Sequence, residues 1–363
     1  MQNAFHEVRR PLARRLCLAA AALIAATAPI SSASAASVVD APASVAEFYK
    51  GKMIRFLIST PPGSGYDTYA RLLTRHYGDF IPGNPKFIPQ NMPAAGGVVL
   101  LNTAANIGPF DGTLIFTLHF NLPLYQATGG EGIRFDIAKM RGIGRLLASN
   151  AAIGVSSKSV TGVKTFEDVL QKEIIIGSTG ASSNSTLFPL IMNKMAGTKF
   201  KVVPGYDGDS GVFLAMERGE IDGFGSYSYL TFQSMRPDML TKKMFYPLVQ
   251  WGMRREEAWP DVPTAIEIAK TPRDKKAMEI VSAGSDIGFS YFMPPGVPEE
   301  RVKALQDAFD ATIKDESFLA DAKGANLALR TASGKEMETI VGNVLAAPKD
   351  AIDRAIELMK VSN

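Results

Sequence analysis

One local pattern occurs twice in this 363-residue chain, and it limits the fold more than any other feature. Met53 to Ser59 is a compact apolar run consistent with a buried strand, and Pro61-Pro62-Gly63-Ser64-Gly65 breaks it. Tyr69, Leu72, Leu73, His76 and Tyr77 then fall on one helical face at three- and four-residue steps. Roughly 120 positions later, Ile174-Ile175-Ile176 leads into the hydroxyl-rich loop 177–186, and Leu187, Leu190, Ile191 and Met195 mark a second helix face. Further strands are expected at 114–118 and 152–155, with weaker candidates at 201–203, 223–225 and 247–251. Helices are expected at 212–218, 298–313 and 347–359. Pro298 suits a first-turn position, and Glu299 and Glu300 follow where the helix dipole favours acids. Strands that alternate with helices predict an α/β fold with mostly parallel sheets. Two copies of one strand–loop–helix unit predict two similar lobes.

The first 35 residues read as a leader outside that fold. Arg9, Arg10, Arg14 and Arg15 precede an apolar stretch over 16–30, and Ala33-Ser34-Ala35 supplies small residues for cleavage. This layout predicts a secretory signal peptide over 1–35 and a periplasmic mature protein. The full chain holds 39 basic and 36 acidic side chains; without the four arginines and Glu7 of the leader it holds 35 of each. A neutral mature chain gives no basic footprint for nucleic acid or anionic membrane. The single cysteine, Cys17, lies in the leader, so disulfides, thiolate catalysis and zinc–sulfur sites are not expected. No other apolar run reaches the ~18–20 residues of a membrane span.

The chemistry concentrates in the two loops. Gly63 and Gly65 permit positive φ and close backbone approach, and they precede a helix whose first amides lack intrahelical partners. Such an end attracts anions. Ser64 and Tyr66 add hydroxyls, and Asp67 is expected to cap or brace the loop. The second loop carries Ser178, Thr179, Ser182, Ser183, Ser185 and Thr186 with Asn184. Neutral donors suit reversible anion binding, at ~1 kcal/mol net per hydrogen bond. Facing one another across a cleft, the loops would clamp a small carboxylate, and closure of the lobes would bury it. His119 and Asn121 follow the strand at 114–118, where loops line clefts in open α/β sheets. The turn 205–211 is expected to present Tyr206 to the cleft, with 212–218 as the helix behind it.

Gly208-Asp209-Ser210-Gly211 superficially resembles the nucleophile segment of trypsin-like proteases. Beyond the leader the chain has only His76 and His119, and neither sits in a protease-like context. Two histidines 43 positions apart fit no metal motif, and neither a phosphate-binding Walker loop nor a full G-x-G-x-x-G is present. The reading is therefore of a binding protein without catalytic residues, metal or cofactor. Trp251 and Trp259 are expected to pack near the lobe junction.

Seven motifs in order give a family resemblance. They are Pro61-Pro62-Gly63-Ser64-Gly65-Tyr66-Asp67 with Ala70-Arg71; Asn91-Met92-Pro93-Ala94-Ala95-Gly96-Gly97; Pro109-Phe110-Asp111-Gly112-Thr113; Ser178-Thr179-Gly180-Ala181-Ser182-Ser183; Gly219-Glu220-Ile221-Asp222; Pro260-Asp261-Val262-Pro263-Thr264; and Pro294-Pro295-Gly296-Val297-Pro298. Over roughly Phe48 to Lys360 the chain resembles the periplasmic binding subunits of tripartite tricarboxylate transporters, the Bug family. The resemblance implies a type 2 periplasmic binding-protein fold, two α/β lobes with a central ligand cleft joined by two crossing segments. It implies one lobe from 36–144 with 250–363 and the other from 145–249. Carboxylate-holding roles carry over to Gly63, Ser64, Gly65 and Tyr66, and to Ser178, Thr179, Ser182 and Ser183. The partners implied are a large and a small membrane subunit driven by an ion gradient, with the binding protein itself a monomer. Two departures stand out: Ser64 replaces a usual glycine, and Asp207 stands where a base is frequent. An acid there would repel a second carboxylate or recognise an amine or hydroxyl on the ligand. A secreted α/β hydrolase and a sensory binding protein docking on a membrane kinase are the alternative functions.

Overall fold

A computed structural model describes residues 44–180, 183–206 and 208–360, without the side chains of Ser234 and Met235. The expected signal peptide lies outside these residues. Eleven strands among them form two sheets. They are β1 (Met53–Ile58), β2 (Lys86–Asn91), β3 (Leu114–Leu118), β4 (Arg141–Leu147), β5 (Ala151–Ser156), β6 (Ile174–Ser178), β7 (Phe200–Pro204), β8 (Gly223–Ser228), β9 (Phe245–Trp251), β10 (Phe289–Met293) and β11 (Ala332–Ser333). The first sheet has the order β11-β4-β10-β3-β1-β2, and the second has β7-β6-β8-β5-β9.

Both sheets repeat one plan. Three parallel strands start each, β2-β1-β3 in one and β7-β6-β8 in the other. An antiparallel strand then inserts: β10 between β3 and β4, and β5 between β8 and β9. The inserted strand is in each case the one that has just crossed from the other sheet. Residues 148–150 carry the chain from β4 to β5, and 252–288 carry it back from β9 to β10. The fold is thus two α/β lobes with a cleft between them and two crossing segments, the type 2 periplasmic binding-protein architecture.

Each sheet is buried on both faces, as period-2 side chains on a covered parallel sheet require. Along β1, Ile54, Phe56 and Ile58 enter one apolar cluster, whereas Leu57 enters the cluster on the opposite face. Along β6, Ile174 and Ile176 face one core and Ile175 the other. The helix Gly65–His76 covers β1 with Tyr69, Leu72 and Leu73, while His76 at its end hydrogen-bonds Asp321 at 2.9 Å. The helix Pro272–Ile287, in the second crossing, shares a core with β6, β9 and the helix Lys349–Met359. Leu230, which follows β8, is seated in the core beneath the first sheet, so the lobes also meet away from the crossings.

Three helix starts differ from the sequence reading. Pro298 and Pro348 lie at the N-caps of Glu299–Thr312 and Lys349–Met359 rather than inside them. The helix expected from 212 begins at Gly208, so Gly208 to Gly211 form its first turn rather than a preceding loop.

A polar network around one ion pair ties the crossings together. Glu256 is almost fully buried and accepts from Arg330, with Nη2 at 2.5 Å from Oε1 and Nη1 at 3.0 Å from Oε2. Its backbone amide donates to Gln250 at 2.7 Å, and Gln250 in turn accepts from the Asn150 side chain at 2.7 Å. The carboxylate raises the Arg330 pKa above its ordinary value, against a smaller opposing effect of burial. Removing one partner of a buried pair strands the other charge, at a cost of about 3–5 kcal/mol. Arg330→Met is therefore expected to lower unfolding free energy in urea by about 3 kcal/mol, the lower end because Arg330 is partly solvated. A loss below about 1 kcal/mol would show that Glu256 is held by the backbone alone.

Candidate ligand-binding cleft

The carboxyl ends of β3, β4, β6 and β8 open into a cleft of about 420 Å³. Open α/β sheets place ligands there because loops and helix N-termini converge. The first lobe contributes Phe120, Asn121, Leu147 and Phe289, and the crossing helix adds Val281, Gly284 and Ser285. The second lobe contributes Thr179, Ser183, Asn184, Ser185, Phe188, Asp209, Ser226, Ser228 and Thr231. Aromatic and aliphatic walls carry a limited set of polar groups, the usual composition of a small-molecule site.

Of the residues singled out from sequence, Asn121, Thr179, Ser183, Asn184 and Ser185 line this cleft. Ser178 lies fully buried beneath them as the centre of a hydroxyl cluster. Its Oγ is 3.0 Å from Ser185 Oγ, 3.2 Å from Ser183 Oγ and in contact with Thr186 Oγ1. Ser183 and Thr186 both donate to the Gly180 carbonyl, at 2.8 and 2.7 Å. These bonds fix the loop against the start of the helix Asn184–Ala196. The Ser183 carbonyl takes the amides of Thr186 and Leu187, at 3.0 and 2.9 Å. The amides of Asn184 and Ser185 keep no hydrogen-bond partner among the described residues. Among the described residues these two N–H groups at a helix N-terminus have no partner, and beside the Thr179 and Ser183 hydroxyls they form a candidate anion-binding corner.

Gly63, Ser64, Gly65 and Asp67 form a braced loop behind the cleft wall. Gly63 has φ +79°, a left-handed conformation that favours glycine. Asp67 is buried, and its Oδ2 accepts from the Gly63 amide at 2.9 Å. Its Oδ1 accepts from Arg71 Nε at 2.9 Å and Asn91 Nδ2 at 2.8 Å. Burial raises the carboxyl pKa, but the Arg71, Gly63 and Asn91 hydrogen bonds together outweigh it and hold the group below its ordinary value. Ser64 caps the helix by accepting from the Asp67 amide at 3.3 Å. Gly65 touches the cleft only through Phe289: a Cβ at Gly65 would stand 2.7 Å from that ring.

Tyr66 and His119 support the wall from behind. The Tyr66 hydroxyl donates to the Gly288 carbonyl at 3.1 Å and accepts from the Phe120 amide at 2.9 Å. It thereby joins two segments that line the cleft. Its ring stacks on His119, with centroids 5.4 Å apart, and His119 stacks on Phe120 at 4.7 Å. Tyr206 packs, half-buried, against the apolar cluster of Val212 and Ile221 in the second lobe. Ser182 and Asp207 lie outside the described residues.

Several lining residues carried no strong sequence signal. Ser226 and Ser228 sit at the end of β8, whose sequence reading stopped at 225. Phe188 is buried and stacks on Trp251, with centroids 3.9 Å apart, so Trp251 supports the cleft floor. Trp259 packs edge-on against Tyr229. Asp209 lines the cleft because the helix begins at Gly208. Ser210 belongs to the same first turn and hydrogen-bonds no histidine among the described residues. No group of three or more His, Cys, Asp or Glu side chains among the described residues is placed to hold a metal ion.

Burial lowers the His119 pKa from its ordinary 6.5 to about 4. A base with a depressed folded pKa contributes full stability above its unfolded value and loses it as pH falls through 6.5 towards 4. His119→Phe, which keeps the stack without titrating, is expected to reduce the loss of unfolding free energy between pH 7 and 4.5. The expected difference is about 1–3 kcal/mol by urea titration. An equal loss in both proteins would contradict a neutral, buried His119.

A UPF0065 protein from Bordetella pertussis is 23% identical over 280 residues, covering 76% of this chain and 81% of that protein. The crystal structure of a TctC solute binding protein from Polaromonas shares the fold at a TM-score of 0.64 and 20% identity, covering 84% of this chain and 99% of that one. MatC from Rhodopseudomonas palustris, with bound malate, gives a TM-score of 0.56 at 17% identity, covering 85% and 99%. The family described as tripartite tricarboxylate transporter family receptor matches residues 83–353. A cleft between two lobes, the shared fold and a match over most of the chain agree: this protein belongs to the tripartite tricarboxylate transporter receptor family of solute-binding proteins.

Proposed function

We propose that the protein captures a small organic carboxylate in the periplasm and delivers it to the large and small membrane subunits of an ion-gradient-driven transporter. The observation that carries this reading is the corner at Thr179–Ser185. Two amides without a partner among the described residues and several hydroxyls face a cleft of small-molecule size, and no Arg or Lys is among its described lining residues. Neutral donors and a helix dipole hold a carboxylate without fixing it as an ion pair would. Release to a transporter requires that reversibility. The malate bound to MatC supports the carboxylate class, because the two proteins share a fold.

Capture and release would use the crossings. Residues 148–150 and 252–288 are the covalent links between the sheets, so the lobes would close by bending there. No helix among the described residues is long and apolar enough to cross a membrane, so the membrane step falls to partner subunits in this reading.

A thermal-shift panel of organic acids on the processed protein tests the proposal. A ligand at 100 times its Kd is expected to add about 2.7 kcal/mol of stability. Ser183→Glu, which puts a fixed negative charge at the corner, is expected to abolish the shift while leaving the ligand-free melting curve near wild type. Wild-type shifts in that variant would remove the corner from the site.

A further inference from the structure

The cleft has a second electrostatic feature, opposite in sign to the first. Asp209 is the one charged side chain among its described lining residues. It lies in the first turn of the helix Gly208–Arg218, where an acid is compatible with the dipole. Yet among the described residues its carboxylate accepts no amide hydrogen bond and makes no ion pair, so it is not acting as a cap. Arg236 shares a neighbouring recess with it but is already paired, with Glu217 at 2.7 Å and Asp238 at 3.2 Å. Asp209 keeps access to solvent on the cleft wall, and the protein packed around it still pushes its carboxyl pKa above the ordinary value. Such a group gains most from a positive partner that arrives with the ligand.

We infer that Asp209 is a specificity-determining residue, selecting carboxylates that also carry an ammonium group and rejecting those with a second carboxylate. This rests on the proposed carboxylate site at Thr179–Ser185. The ligand's anionic end would meet the amides and hydroxyls there, its cationic end would meet Asp209, and its carbon chain would lie against Phe120, Phe188 and Phe289. The structure supplies one anion-favouring corner and one acid in a single cavity, a charge pattern complementary to a zwitterion. A dicarboxylate would bring like charge towards an unpaired acid, and interaction between unit charges a few ångströms apart outweighs a tenfold affinity difference at a protein–water boundary.

Isothermal titration with chain-matched probes tests this. Glutarate and 5-aminopentanoate share a five-carbon chain and differ in the second charged group; succinate with 4-aminobutanoate and adipate with 6-aminohexanoate extend the comparison. The wild-type protein is expected to bind the amino member of the best-fitting pair at least about tenfold more tightly. In Asp209→Asn the preference is expected to collapse, through weaker binding of the amino acid and tighter binding of the dicarboxylate. Dicarboxylate preference in the wild type, or an unchanged ratio in the variant, would overturn the assignment while leaving the carboxylate reading intact. If none of the probes binds and the broader acid panel also fails, the carboxylate site falls, and this inference with it. The wild-type ratio is read independently of the variant, so a poorly folding Asp209→Asn would not shield the claim.

Discussion

Each sheet of this protein is completed from the other side. β10 must arrive from the second lobe to fill the gap between β3 and β4, and β5 must arrive from the first to fill the gap between β8 and β9. Backbone N–H and C=O groups of a buried sheet cannot be left unpaired. The exchange is therefore a condition of folding, and it fixes the relation of the lobes. The carboxyl ends of β3, β4, β6 and β8 and the amino ends of the inserted β5 and β10 meet one cleft, which residues of both crossings also line. Glu256, Arg330, Gln250 and Asn150 form a polar network at that junction.

The charges follow a consistent economy. Arg71 near the first loop is paired with Asp67, Arg330 with Glu256, and Arg236 with Glu217 and Asp238. His119 is held neutral by burial at ordinary pH. Among the described lining residues, what remains facing the cleft is uncharged apart from Asp209. The first loop, Gly63 to Asp67, contacts the cleft wall through Tyr66 and Phe289. The second loop presents its donors directly.

Much of the fold was legible in the sequence because its signals are local. The apolar runs at 53–59 and 174–176, the glycine and serine loops after them and the following helix faces all correspond to observed elements. β4 and β10 were not legible. Arg141-Gly142-Ile143-Gly144-Arg145 carries charge and glycine in a strand whose partners lie far away in sequence, so only tertiary pairing makes it one. The cleft was half legible for the same reason. Thr179, Ser183 and Asn121 follow strands and could be found by position, whereas Phe188, Ser226 and Phe289 belong to the site only because two distant sheets face each other. Asp209 was hidden by the glycines around it, which read as a turn although Gly208 begins a helix. Tyr206, in contrast, is directed by the cluster around Val212 into its own lobe.

The central claim is that peptide amides and hydroxyls, with no cation, hold the ligand's carboxylate. Amide NMR spectra of the labelled, processed protein test it most directly, recorded while 5-aminopentanoate and glutarate are titrated in. A hydrogen bond to a carboxylate moves an amide proton strongly downfield, so the Asn184 and Ser185 resonances are expected to shift most, saturating together with the Thr179 amide. Saturable binding that leaves Asn184 and Ser185 in place, with the largest shifts elsewhere, would contradict the account.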